Sequence, residues 1–220
     1  MILMYGDKTI DLKPSKIMAV ARNYKAHADE MGAELPSEPK FFLKPPSALL
    51  ADKGQVILPK SCSRVDYEVE LAVIIGSRVK NVTSDNVTGI LLGYTVLVDI
   101  TARDVQATAK KQGMPWTIAK GYDTFAPIGP HIVPAKKIDP SDLDVWLKVN
   151  GEIKQQGNTN LMIFSVCELV SFISKVMTLE PMDVIATGTP SGVGPMEDGD
   201  VIEAGIEGIG TLTFTAARGH

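Results

Sequence analysis

D-Y-E-V-E-L-A-V-I-I-G, residues 66–76, reads as a β-strand. β-branched and aliphatic residues run from Val69 to Ile75, and Gly76 stops them. Two acids, Glu68 and Glu70, stand two positions apart. In a strand that spacing puts both carboxylates on one face, just before a run that wants to be buried. Like charges this close repel unless a proton or a cation sits between them. Oxygen-only ligands suit a hard divalent ion such as Mg2+, Mn2+ or Ca2+. The alternative is a strand entering the core from a solvated edge, with both acids in water.

At 220 residues the chain has room for one domain, or one with a small appendage. Hydrophobic residues make up 45% of it, enough for a proper core. The net charge of −4, with no basic block or basic–aromatic pattern, argues against nucleic acid. Cys62 and Cys167 lie far apart without zinc-type neighbours, so both are expected as free thiols in a reducing compartment, the cytoplasm. The opening M-I-L-M is too short for a signal peptide. The most apolar run, 89–98, cannot span a bilayer, so no membrane association is expected.

Residues 1–13 read as a hairpin turning at Gly6-Asp7, and 15–20 as a strand. Residues 21–32 read as a short helix ended by Gly32, with Tyr24, His27, Glu30 and Met31 on one side. His27 and Glu30 are three apart, so the carboxylate can accept from one ring nitrogen and leave the other free as a base. A plain surface pair has the same spacing. The proline-rich 32–46 is a loop with one extended piece at 41–44, able to act as a lid hinge or a simple connection.

Residues 94–100 read as a strand presenting Asp99 near its end. Thr101 and Asp104 have capping-box spacing before a helix carrying Arg103 and Gln106. Arg103 is able to fork onto a carboxylate, or to be an ordinary surface arginine. Lys120 stands in an otherwise uncharged stretch, either snorkelling or placed to meet an anion. Residues 127–140 read as loop. An alternating strand at 143–149 leads through Asn150-Gly151, a type I′ hairpin signal, into 152–156. Ser165 and Glu168 cap an amphipathic helix whose stripe is Leu169, Phe172, Ile173 and Val176. A strand at 183–187 runs into G-T-P-S-G-V-G-P, glycine-rich but without the Gly-Lys-Ser/Thr of a P-loop.

Seven stretches in order resemble the fumarylacetoacetate hydrolase family. They are R-N-Y-x-x-H-x-x-E (22–30), F-F-L-K-P (41–45), Y-E-V-E-L (67–71), D-I-T-A-R-D-V-Q (99–106), P-W-x-x-A-K (115–120), V-N-G (149–151) and T-G-T-P-x-G-V-G (187–194). The chain is most similar to the short acylpyruvase and oxaloacetate-processing branch. The resemblance implies an α+β, mostly β fold: a roll of packed sheets with a few peripheral helices, usually dimeric. It implies one catalytic domain over 1–220, with 1–50 an N-terminal segment carrying a lid helix near 21–32.

The same resemblance implies that Glu68, Glu70 and Asp99 bind one Mg2+ or Mn2+. It implies a catalytic dyad of His27 and Glu30, with Lys120 beside the metal. It places Arg22, Arg103, Gln106 and Thr189 around a small 2-oxo acid. Asp66 and Tyr67 carry no assigned role. The expected activity is hydrolysis of the C3–C4 bond of acylpyruvates through a stabilised enolate, because the His27–Glu30 pair is what water activation requires. The alternatives are an oxaloacetate tautomerase or decarboxylase, or an isomerase of 2-hydroxy-dienedioates. From a different class, a non-catalytic binding module would need the three acids but not His27 or Lys120.

Overall fold

The computed structural model describes residues 1–30, 32 and 34–219; Met31, expected beside His27, lies outside them. Strands dominate. In chain order those longer than two residues are β1 (Ile2–Tyr5), β2 (Lys8–Asp11), β3 (Ile17–Ala21), β4 (Lys40–Lys44), β5 (Gln55–Leu58), β6 (Val65–Tyr67) and β7 (Val69–Ile75). Then follow β8 (Leu91–Val98), β9 (His131–Pro134), β10 (Asp144–Val149), β11 (Glu152–Asn158), β12 (Val184–Ala186), β13 (Val201–Ile206) and β14 (Gly210–Arg218). The α-helices are α1 (Lys25–Glu30), α2 (Arg103–Gln112), α3 (Thr117–Lys120) and α4 (Val166–Val176).

Two open sheets build the body. One has eight strands in the order β2-β1-β9-β8-β7-β12-β3-β4, the other five in the order β11-β10-β13-β14-β5. β7 is central to the first, antiparallel to both β8 and β12. Its odd residues Val69, Leu71, Val73 and Ile75 join the larger core with Leu147, Ile202, Leu212 and Phe214 of the second sheet. Its even residues Ala72 and Ile74 join a smaller core on the other face, with Ile17, Ala19 and Val184. Burial on both faces is why the run reads as continuously apolar rather than alternating. Glu70 shares the even face.

The expected strand over 66–76 is therefore two. β6 pairs outside the large sheet, and the break falls at Glu68. The 127–140 segment is not all loop: β9 lies between β1 and β8. Its apolar core, Ile132 and Val133, is too short to declare a period, and the pairing comes from partners far away in sequence. The Thr101 capping box does not form either. The Thr101 hydroxyl donates to the Asp99 carbonyl, while Asp104 accepts from the Ser63 amide and hydroxyl. Ser165 and Glu168 do form one. On that helix Val176 is exposed, and Val170 and Ser174 fill the buried stripe with Leu169 and Ile173.

Asp183 locks the start of β12 to the start of β3. Its buried carboxylate accepts from the Ser15 amide at 2.9 Å, the Ser15 hydroxyl at 2.7 Å, the Lys16 amide at 3.2 Å and the Glu180 amide at 2.9 Å, and pairs with the Lys16 ammonium. Asp183→Ala strands all of these groups, so a loss of about 3–5 kcal/mol is expected in urea unfolding.

Candidate active site

The backbone brings the three acids together. Glu68 sits at the break before β7, Glu70 is the second residue of β7, and Asp99 follows the last residue of β8. β7 and β8 pair Val69 with Val98, and the Asp99 amide donates to the Glu68 carbonyl at 2.8 Å. One carboxylate oxygen from each acid lies within 4.8 Å of the others. Glu68 is 5% exposed, Glu70 1% and Asp99 1%, so the solvated-edge alternative is excluded.

Cations share two of the three. The Lys120 ammonium donates to Glu68 at 2.9 Å and to Asp99 at 2.5 Å. Lys44 donates to the other Asp99 oxygen at 2.6 Å, and Arg103 to Glu68 at 2.5 Å. Burial alone would raise Glu68, but Lys120 and Arg103 outweigh it and hold the carboxyl well below the usual range. Among the described residues Glu70 accepts only from the Gly188 amide, at 2.7 Å. Burial, then the charges of Asp99 and Glu68, push its carboxyl well above the usual range. Glu70 thus calls for a proton or a cation. The donor set is all oxygen and buried, which fits a hard divalent ion.

Above the triad a pocket is lined by Arg22, His27, Phe42, Glu68, Glu70, Arg103, Gln106, Lys110, Trp116, Lys120 and Thr189. Eight of the ten expected site residues meet there. The other two lie directly behind: Asp99 under Lys120, and Glu30 against His27, whose Nδ1 is 3.3 Å from the Glu30 carboxylate. The Gly192 amide donates to Glu30 at 3.1 Å, docking α1 on the glycine-rich loop. That loop needs its glycines. Gly192 has φ +94°, and a Cβ there would lie 2.1 Å from the Lys154 carbonyl oxygen. Arg22 itself takes φ +61° at the pocket wall, a left-handed conformation that a non-glycine residue adopts at a cost. Beside it the Asn23 side chain donates to the Thr187 and Phe164 carbonyls and accepts from the Phe164 amide.

Three contributors escaped the sequence reading. Lys44, fully buried on Asp99, carried the same signal as Lys120: a lone cation among apolar residues. Asp66, assigned no role, accepts from Arg103 Nε at 2.8 Å and from Arg64 at 2.8 and 3.0 Å, and so aims Arg103 at Glu68 and Gln106. Gln155 gave no signal at all.

Open, strand-rich sheets around a buried oxygen-only triad and a cation-lined pocket define the class: a β-rich protein whose three clustered carboxylates could hold a divalent metal ion. The chain belongs to the fumarylacetoacetate hydrolase family, whose "Fumarylacetoacetate (FAA) hydrolase C-terminal" model matches residues 16–217. It is 49% identical to the mitochondrial oxaloacetate decarboxylase of Dictyostelium discoideum, over 89% of this chain and 90% of that one. It is 47% identical to the mitochondrial oxaloacetate tautomerase of Arabidopsis thaliana, over 93% and 92%. Among solved structures, the fumarylpyruvate hydrolase of Pseudomonas aeruginosa in complex with Mn2+ and pyruvate is similar with a TM-score of 0.92 and 34% identity, covering 100% of this chain and 96% of that one. Among the described residues no helix is long and apolar enough to cross a membrane.

Proposed function

We propose that the chain is a divalent-metal-dependent enzyme acting on oxaloacetate through its enolate, as a tautomerase or decarboxylase. The observation that carries this is the charge of the pocket. Arg22, Arg103, Lys110 and Lys120 converge on a narrow site, and oxaloacetate brings two carboxylates to meet them. Fork-shaped guanidinium groups suit carboxylates in particular. Kinship with relatives named for oxaloacetate supports the same choice.

Glu68, Glu70 and Asp99 would hold Mg2+ or Mn2+, which would polarise the 2-oxo carbonyl and lower the cost of an enolate at C3. Arg103, aimed by Asp66, and Arg22 hold the substrate carboxylates. Lys120 supplies a fixed positive charge beside the developing oxyanion. His27, oriented by Glu30, takes a proton from C3, and its return to oxygen gives the enol. In decarboxylation the C3–C4 bond breaks, CO2 leaves, its electron pair forms the enolate, and a proton at C3 gives pyruvate.

Hydrolysis of acylpyruvates is the second reading, favoured by the His27–Glu30 contact of 3.3 Å, since the same imidazole serves to deprotonate water. His27→Ala separates hydrolysis from decarboxylation. Hydrolysis is expected to fall about 10²–10⁴-fold, the usual worth of a positioned base, while decarboxylation, which needs no base to break its bond, falls less. Equal losses on acetylpyruvate and oxaloacetate, followed by product NMR, would remove the water-activating role.

The reading takes 1–220 as one catalytic unit, with α1 in the N-terminal segment acting as a lid, and as a dimer. A cytoplasmic location belongs to it too, resting on the free thiols Cys62 and Cys167.

A further inference from the structure

Gln155, on β11, is completely buried and has every hydrogen-bonding group but one lone pair engaged. Its Oε1 accepts from the Val69 amide at 2.9 Å. Its Nε2 donates to the Pro190 carbonyl at 2.9 Å and to Thr189 Oγ1 at 2.8 Å. The first two partners are main-chain groups of fixed polarity, one only a donor and one only an acceptor. They fix which way the amide points: turned over, it would set an NH2 against an N–H and an oxygen against a carbonyl. Nε2 must therefore donate to Thr189. The Thr189 oxygen is an acceptor in that bond, and its own proton has to go elsewhere. Among the described residues nothing accepts it, and Thr189 lines the pocket.

We infer that Gln155 is a positioning residue: it fixes the Thr189 hydroxyl as a donor into the pocket, so that the ligand group met there is an acceptor, a carboxylate or enolate oxygen. This rests on the proposed function and sharpens it, adding a neutral donor to the cations that hold the anion. The same amide ties Val69, the residue between Glu68 and Glu70, to the glycine-rich loop. Packing keeps the distance short: a Cβ on Gly157, two residues along β11, would lie 2.6 Å from the Pro190 ring. The loop thus packs on β11, and Gln155 of β11 joins the acid-bearing strand to the loop.

The test is a double-mutant cycle on oxalate binding to the Mn2+-loaded full chain, followed by calorimetry. Oxalate presents the adjacent carboxylate and carbonyl oxygens of a 2-oxo acid and does not react. Thr189→Val should weaken oxalate by about tenfold or more, the worth of a hydrogen bond to a charged group. Thr189→Ser, which keeps the hydroxyl, should stay within about twofold. Gln155→Leu should weaken oxalate in the wild-type background and add less than about twofold to Thr189→Val, because both changes remove one interaction. Mn2+ affinity should be unchanged in Thr189→Val. If Gln155→Leu fails to fold, Gln155→Glu takes its place: it keeps the bond from Val69 but draws the Thr189 proton to itself, with the same loss of oxalate expected.

Oxalate affinity in Thr189→Val equal to wild type would overturn the inference and leave the proposed function standing. So would additive losses in the double variant. Wild-type protein that binds Mn2+ but no oxalate would overturn both.

Discussion

Glu70→Gln is expected to abolish tight binding of a divalent ion and, at the same time, to stabilise the metal-free protein. The two effects have one cause. Glu70 is buried beside Glu68 and Asp99 and is the member of the triad that no side-chain cation contacts directly among the described residues. Its raised carboxyl means that the folded state holds a proton where the unfolded chain has released it. Stability of the metal-free protein is therefore lost as pH rises from the ordinary carboxyl value of 4.5 through the raised folded value. A glutamine keeps the bond from the Gly188 amide and has no charge to repel, so that pH-dependent loss should vanish. For the ion the sign reverses. Removing an outer partner of a metal ligand costs about 10–100-fold in affinity, and removing a ligand itself should cost at least as much as the upper end. Calorimetry with Mn2+ and thermal melts with and without a chelator measure both. Unchanged Mn2+ affinity would remove Glu70 from the ligand set.

Lys120→Met carries the second large effect. The ammonium is 2% exposed and bridges Glu68 and Asp99. It lies 4.9 Å from the centre of the Phe42 ring, a further favourable contact for a cation. Its loss leaves two buried carboxylates short of a partner, a deficit of about 3–5 kcal/mol in the metal-free protein. A bound divalent ion supplies positive charge to the same carboxylates, so loading with Mg2+ should restore much of that stability. Turnover should not recover. Loss of one preorganised charge at a developing oxyanion costs about 10²–10³-fold, and an ion held by the carboxylates does not replace the ammonium that shares that charge. Retained Mn2+ binding with lost turnover is the expected pattern. Lost binding with it would make Lys120 a scaffold for the triad.

Elements governed by neighbours in sequence were legible. The Asn150-Gly151 turn has both residues at positive φ, 52° and 82°, as a type I′ turn requires. The Ser165 cap closes over three residues, and the His27–Glu30 pair over three more. The triad was half legible: Glu68 and Glu70 stand two positions apart in sequence, and they converge although the strand breaks at Glu68, whereas Asp99 joins them only through the pairing of β7 with β8. What stayed hidden depends on distant partners. Lys44 meets Asp99 across 55 positions and Gln155 meets Val69 across 86; a lone cation among apolar residues marks Lys44 without naming its partner, and no local pattern marks Gln155. Thr101 shows the converse: its spacing to Asp104 suits a cap, but Ser63 takes the carboxylate first. β9 is a strand because β1 and β8 flank it.

The central claim is that a divalent ion and the residues around it turn over oxaloacetate through its enolate. The most direct measurement takes chelator-stripped protein, adds oxaloacetate with and without Mg2+, follows the keto–enol ratio by ultraviolet absorbance and identifies products by NMR. Enol–keto interconversion or pyruvate formation that appears only with the added ion, and faster than with the ion alone, is the predicted result. Turnover that ignores the chelator, or loaded protein that leaves oxaloacetate at the rate of free Mg2+, would contradict it.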